Sequence, residues 1–89
     1  DISFLGKEVS LSDDLISVSG NPISFAKKNI FKGLSDEIKI DLKRKLLYLS
    51  GTSSIFIDGK DISGEDIVFD YENNSILNSE NLRIKSENS

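Results

Sequence analysis

Six carboxylates recur at matching places in this 89-residue chain. Asp36, Glu37 and Asp41 surround one short alternating run, and Glu65, Asp66 and Asp70 surround another 29 residues further on. Paired carboxylates are the working groups of glycoside hydrolysis, and carboxylate oxygens also hold calcium. Recurrence at equivalent positions suits scaffolding better. Asp41 and Asp70 each end an apolar run, where a carboxylate can accept hydrogen bonds from the N–H groups of the turn that follows. The tight Asp-x-Asp-x-Asp-Gly spacing of a calcium loop is missing. His and Cys are absent, which removes imidazole bases, thiol nucleophiles, disulfides and the usual zinc sites. The chain therefore reads as non-enzymatic, with no metal and no cofactor. Asn73-Asn74-Ser75 matches a glycosylation acceptor, but two adjacent asparagines read first as a hairpin turn.

The basic residues Lys39, Lys43, Arg44 and Lys45 stand among Asp36, Glu37 and Asp41. That mixture predicts a solvated strand edge and turn; the functional alternative is a local cationic mouth for an anionic ligand. A net charge of −4 and a pI near 4.7 argue against a nucleic-acid partner, since phosphate-backbone affinity needs local positive charge.

The elements that must position these groups are strands. Val9-Ser10-Leu11-Ser12, Ile38-Lys39-Ile40-Asp41 and Ile67-Val68-Phe69-Asp70 each begin with an apolar residue, repeat one two positions on, run into a polar turn, and lie 29 residues apart. A hairpin-sized unit repeats along the chain, so the question becomes what the stack builds. Twelve Ile, fifteen Ser, seven Asn and one Ala favour strands and turns over helices. No segment holds an i, i+3, i+4, i+7 apolar pattern. Turns are expected at Ser12-Asp13-Asp14, Lys43-Arg44-Lys45, Asp58-Gly59 and Asn73-Asn74, and breaks at Gly20-Asn21-Pro22 and Gly51-Thr52. About ten short strands of roughly four to seven residues result. They form one all-β domain over residues 1–85, with a polar tail at 86–89. No run approaches the roughly 20 apolar residues that span a bilayer, and no signal peptide stands at Asp1.

Alternation assigns one inner face to Ile16, Val18, Ile23, Phe25, Ile38, Ile40, Leu42, Leu47, Leu49, Ile55, Ile57, Ile67, Phe69 and Tyr71, with Leu82 and Ile84 closing it. Such a face can simply fill a core. It can also line a dry channel for apolar ligands. The outermost strands, near Ile2 and Phe4 and near Leu82 and Ile84, are candidate edges for pairing with another chain.

Leu15-Ile16-Ser17-Val18-Ser19-Gly20-Asn21-Pro22-Ile23-Ser24-Phe25 resembles the G-N-P-x-x-F strand pair of the OstA-like proteins of lipopolysaccharide transport. Residues 33–57 resemble that family's next unit, and Ile62-Ser63-Gly64-Glu65-Asp66-Ile67-Val68-Phe69-Asp70 is similar to its recurrent I-x-G-D-x-I-x-Y-D. The ordered set covers residues 9–84. Phe69 stands where the family commonly has Tyr, residues 28–32 replace an often Gln-rich exit, and the chain is one or two N-terminal rungs shorter than the family's bridge proteins.

The resemblance implies a β-jelly roll of stacked antiparallel hairpin rungs, open at both ends. It implies shielding of lipopolysaccharide acyl chains in a hydrophobic groove during passage through the periplasm to the outer membrane. It further implies related jelly rolls as docking partners, edge to edge, and open edges allow a head-to-tail homo-oligomer. Net negative charge places the acyl tails inside and a phosphate-bearing head group outside, near Lys27, Lys28, Lys32 or Lys43, Arg44 and Lys45. The alternative is a structural β-repeat module with no lipid ligand.

Overall fold

A computed structural model of the chain describes residues 2–6 and 8–86. Seven strands appear among them: β1 (Ile2–Leu5), β2 (Glu8–Ser12), β3 (Leu15–Lys27), β4 (Phe31–Asp41), β5 (Leu46–Ile57), β6 (Lys60–Asp70) and β7 (Ser75–Ser86). They form one antiparallel sheet in the order β1-β3-β4-β5-β6-β7, with β2 also on β3. β1 pairs with the second half of β3 (Phe4 opposite Phe25), and β2 pairs with its first half (Val9 opposite Val18). One edge of the sheet is therefore split in two, and the other is the single strand β7. The edges do not pair with each other, so the sheet is not closed. No helix among the described residues is long and apolar enough to cross a membrane.

The expected ten short strands are instead fewer and longer, five of them running 11 to 13 residues. The breaks in alternation are bulges inside continuous strands. Pairing shifts register between Ser19 and Ile23 in β3, between Leu34 and Glu37 in β4, and between Leu49 and Thr52 in β5. An inserted residue reverses which side later residues face. Thus β4 buries Phe31 before its bulge, Ser35 within it, and Ile38 and Ile40 after it. Likewise β6 buries Ile62, then Ile67 and Phe69.

The bulges line up from strand to strand and fold the sheet over. Phe31 lies opposite Ile57, which lies opposite Lys60. On a flat sheet Phe69, nine residues further along β6, would sit about 30 Å away. The two rings instead meet edge to face, with centroids 5.2 Å apart. The result is two layers around one core, to which both halves of β3, β4, β5 and β6 contribute.

Left-handed backbone marks the bend at Gly51 (φ 77°), Asp66 (φ 51°) and Asn81 (φ 52°), on the adjacent strands β5, β6 and β7. Gly, Asp and Asn are the residues that reach this conformation at least cost. The N–H of Gly51 donates to Asp66 Oδ1 at 2.9 Å. Inside the bend, the hydroxyls of Ser35 and Ser53 are 2.9 Å apart, and the carbonyls of Glu37, Ser50 and Gly51 lie within reach of one or the other. These buried hydroxyls satisfy each other and the carbonyls that the bulges free.

The expected turns are present at Asp13-Asp14, 42–45, Asp58-Gly59 and 71–74. Asp58 (φ 52°) and Gly59 (φ 72°) both take positive φ, as a tight hairpin requires. β7 extends through Ser86; residues 87–89 of the expected tail lie outside the described residues, as does Lys7.

Candidate functional site

The repeated carboxylates are engaged in backbone geometry. Asp41 Oδ1 accepts from the N–H groups of Lys43 (3.0 Å) and Arg44 (2.9 Å). Asp70 Oδ1 does the same for Glu72 and Asn73, each at 3.0 Å, and Asp70 Oδ2 also accepts from the Asn73 side-chain amide at 2.8 Å. The next residue in each copy, Leu42 or Tyr71, donates its N–H back to the preceding turn, to the carbonyl of Asp14 or Lys45. The echo is thus a repeated hydrogen-bonding unit as well as a repeated pattern.

Asn73, chiefly through its side chain and then its backbone N–H, holds the Asp70 carboxyl below its ordinary value of 3.8, with a smaller contribution from the Glu72 N–H. Partial burial, then the nearby charges of Asp41 and Glu72, pushes the Tyr71 phenol above 10.0. Among the described residues no group of three or more His, Cys, Asp and Glu side chains is arranged to hold a metal.

The proposed inner face is largely the core itself. Val18, Ile23, Phe25, Ile38, Ile40, Leu47, Leu49, Ile55, Ile57, Ile67 and Phe69 are buried together, and Ile16 and Tyr71 are half-buried against them. Leu42 is 36% exposed. Strand β4 ends at Asp41, so Leu42 has entered the turn and left the alternation that assigned it inward. Alternation missed two members, Phe31 and Ile62. Both are spaced by two from a small residue, Gly33 and Gly64, and a glycine carries no inward side chain to extend the pattern. Gly33 is required where it stands, because a Cβ there would collide with the Ser54 carbonyl and the Phe25 ring.

At the edges, the interior is uncovered. Residues directly opposite in an antiparallel pair point to the same side. Val9, paired with buried Val18, therefore faces inward, as does Ile84, paired with buried Ile62; both are exposed. Of the expected edge contacts, Ile2 and Phe4 are half-buried against the core, and Leu82 and Ile84 are exposed.

Folding the sheet brings its two rows of turns into two facing lips. The β3–β4 and β5–β6 turns make one lip, where a cavity of about 430 Å³ is lined by Lys27, Lys28, Lys32, Phe31, Phe56 and Ile57 among others. The β2–β3, β4–β5 and β6–β7 turns make the other. A cavity there of about 670 Å³ is lined by Asp13, Asp14, Leu15, Asp41, Lys43 and Arg44 among others. Of the lysines expected near a head group, Lys27, Lys28 and Lys32 share the first cavity, Lys43 lies at the second, and Lys45 lines neither.

These features define an all-β open jelly roll with a continuous apolar interior. No family model matches the chain, and no curated protein matches it by sequence. Among solved structures, the fold is similar to LptH of Pseudomonas aeruginosa, described as the LptA-homologous periplasmic component of the conserved lipopolysaccharide transport device. The match has a TM-score of 0.71 at 11% sequence identity and covers 96% of this chain and 94% of that one.

Proposed function

We propose that this chain is a non-enzymatic, OstA-like lipid-shielding protein, similar in kind to LptA. In this reading it carries lipopolysaccharide acyl chains through the periplasm toward the outer membrane. The observation that carries the reading is an apolar interior that continues, uncovered, to both edges of the sheet: at Val9 and Leu11 on one side and at Ile84 on the other. The likeness of the fold to LptH supports it. Acyl chains need no directed hydrogen bonds, and each buried CH₂ contributes about 0.8 kcal/mol, so a greasy track with inert walls is sufficient. A photo-crosslinking side chain at Ile40 or Phe69 is expected to capture lipopolysaccharide, with competition by unlabelled ligand. Absence of capture at both positions in folded protein would defeat the reading.

The same open edges make related jelly rolls, including further copies of this chain, the proposed docking partners. Edge strands offer unpaired backbone groups, and an inward face left bare is completed by the next rung. The sedimentation coefficient should rise with concentration, and Val9→Lys/Leu11→Lys should abolish the rise while leaving the monomer folded. A monomer at all concentrations would overturn this part.

One observation favours a second reading, a structural β-repeat module without ligand. Ile23, Leu47, Ile55, Ile67 and Phe69 show no exposure at all, so the core is already filled by its own side chains. Failure of the crosslinks together with retained association would select it.

A further inference from the structure

Every second row of the register points away from the core, so the two layers present two outer faces. The first backs the layer of Phe25, Ile55 and Ile62. Its rows cross from Leu5 through Leu34 to Arg83, and from Ser3 through Lys32, Phe56 and Asp61 to Lys85. The second backs the layer of Ile38, Leu49 and Ile67. Its rows carry Glu8 and Glu37, then Lys39, Tyr48 and Val68, then Asp41, Leu46 and Asp70.

The two faces are opposite in charge. Lys32, Arg83 and Lys85 outnumber Asp61 on the first, and Glu8, Glu37, Asp41 and Asp70 outnumber Lys39 on the second. On a chain of net charge −4 the first face is a basic exception. Much of this charge is unspent within the chain. Among the described residues the ion pair found is Arg44 with Asp41 at 3.6 Å, and Asp41 and Asp70 also hold their turns. Lys32, Arg83, Lys85, Glu8 and Glu37 are exposed and are in no such pair.

Both faces are also apolar at their centre, where an antiparallel sheet facing water is usually polar. β5, in the middle of the sheet, turns Leu46 and Tyr48 to the second face and Phe56 to the first, all half-buried. Each face has a hollow of about 220 Å³ among serines. On the second face it lies between Glu8, Glu37 and Lys39, beside Ser17 and Ser19. On the first it lies beside Leu34 and Phe56, with Ser24 and Ser54.

A second copy of this chain supplies the complement of both faces at once; a nucleic acid or an anionic membrane would answer the first and leave the second bare. We propose that the first outer face of one copy docks on the second outer face of the next. With the sheet order reversed across the contact, β7 of one copy lies over β2 and β4 of its neighbour. Arg83 and Lys85 then meet the hollow between Glu8 and Glu37, Phe56 meets Leu46 and Tyr48, and Lys32 meets Asp70. Half-strands about 20 Å long, over a sheet about 25 Å wide, bury roughly 500 Å² per copy. That is the low end for specific contacts, so the affinity of one contact is on the order of 1 mM, rising by avidity where edge-docked copies present several faces together. The contact is heterologous and continues from copy to copy instead of closing at a pair. It runs sideways to the edge-to-edge docking and stands independently of the lipid-shielding reading.

The test uses the full chain carrying Val9→Lys/Leu11→Lys, which silences the edge, ¹⁵N-labelled and followed by NMR from micromolar to millimolar concentration. Amide shifts are expected to grow together on both outer faces, around residues 32–34, 56 and 83–85 and around residues 8–10, 37–39 and 48. In that background, Lys32→Glu/Arg83→Glu/Lys85→Glu on the first face, or Glu8→Lys/Glu37→Lys on the second, should weaken the association about tenfold or more, as reversal of several exposed charge pairs implies. A mixture of these two variants should associate again, because each reversed face then meets its new complement. Lys43→Glu/Lys45→Glu, in the β4–β5 turn, should leave the association unchanged. Two variants that stay monomeric when mixed would overturn the proposal. Shifts confined to one face would overturn it in favour of a two-fold pairing of like faces, and absence of shifts at millimolar concentration would remove the contact. None of these failures alters the sedimentation of the unsubstituted chain or the lipid crosslinks at Ile40 and Phe69, which test the other readings.

Discussion

The second and third copies of the 29-residue echo lie in the deepest part of the molecule, and the first copy is bare. Ile38 and Ile40 are 1% and 2% exposed and Ile67 and Phe69 are fully buried, but Val9 and Leu11 are 66% and 67% exposed. The three segments share one sequence pattern and all turn these side chains inward. They differ in their neighbours. β4 and β6 each lie between two long strands, whereas β2 hydrogen-bonds only to half of β3, and on the other half of β3 stands only the four-residue β1. Burial is therefore a property of a rung's place in the stack, not of its motif.

The sharpest way to break that comparison is truncation at matched positions. Phe69→Ala should cost about 3–5 kcal/mol, since it opens a large cavity against Phe31 in a filled core. Leu11→Ala, at the equivalent position two echoes earlier in β2, should stay within about 0.5 kcal/mol. Urea denaturation of both variants measures the contrast. A Leu11 cost approaching that of Phe69 would mean that the first copy is covered in solution and that the comparison describes something other than stack position.

Next in size is the bend that lets buried copies exist. Gly51→Ala places a Cβ at φ 77° and 2.5 Å from Asp36 Oδ2. The left-handed backbone alone costs about 1–2 kcal/mol, and the Asp36 carboxylate must move as well. Thermal or chemical denaturation should show the loss. A neutral substitution would mean that the sheet can fold over without this bulge.

Those bulges are also where sequence reading stopped short. Hairpin turns were legible because their chemistry is local: Asp58-Gly59 and Asn73-Asn74 name their own conformation, and Asp41 and Asp70 sit where turn N–H groups need an acceptor. The inner face was legible because alternation is local too. But a break in alternation looks the same whether a strand ends or kinks. Gly20-Asn21-Pro22 read as the end of a strand, yet β3 runs through it with a register shift; only the offset of the partner strand separates the two cases. Ser35 and Ser53 carry no apolar signal, so alternation does not assign them to the interior. Their burial follows from carbonyls freed by neighbouring bulges, which no single strand reveals. Of the candidate site, the lysines were visible as charges, but their gathering around one cavity with Phe31 and Ile57 depends on the fold-over that alternation cannot predict.

A smaller effect distinguishes the two buried copies. Lys45 and Asn74 hold equivalent turn positions, both left-handed, at φ 61° and 55°. Asn reaches this conformation more readily than Lys. Lys45→Asn should therefore stabilise by up to about 1 kcal/mol, and Asn74→Lys should destabilise by a similar amount. Equal and opposite shifts in the denaturation midpoint would show that the turns are interchangeable; no gain at Lys45 would mean that its carbonyl bond from Tyr71 depends on the native side chain.

The smallest effect concerns the carboxylate that ends each buried copy. Asp70 has a hydrogen bond that Asp41 lacks, from the Asn73 side-chain amide, and this is the chief reason its carboxyl is held below 3.8. A carboxyl whose folded value lies below its unfolded value stabilises the fold above the unfolded value, and that contribution disappears as pH falls through the folded one. The window is thus below about pH 4, on the acid limb of the stability curve. Asn73→Ala should bring the Asp70 titration, followed by carboxyl NMR, back toward the ordinary value and flatten stability over that limb, with little change at neutral pH beyond the lost hydrogen bond. If the titration does not move, the backbone N–H groups of Glu72 and Asn73 suffice, and the third copy's turn is held no differently from the second's.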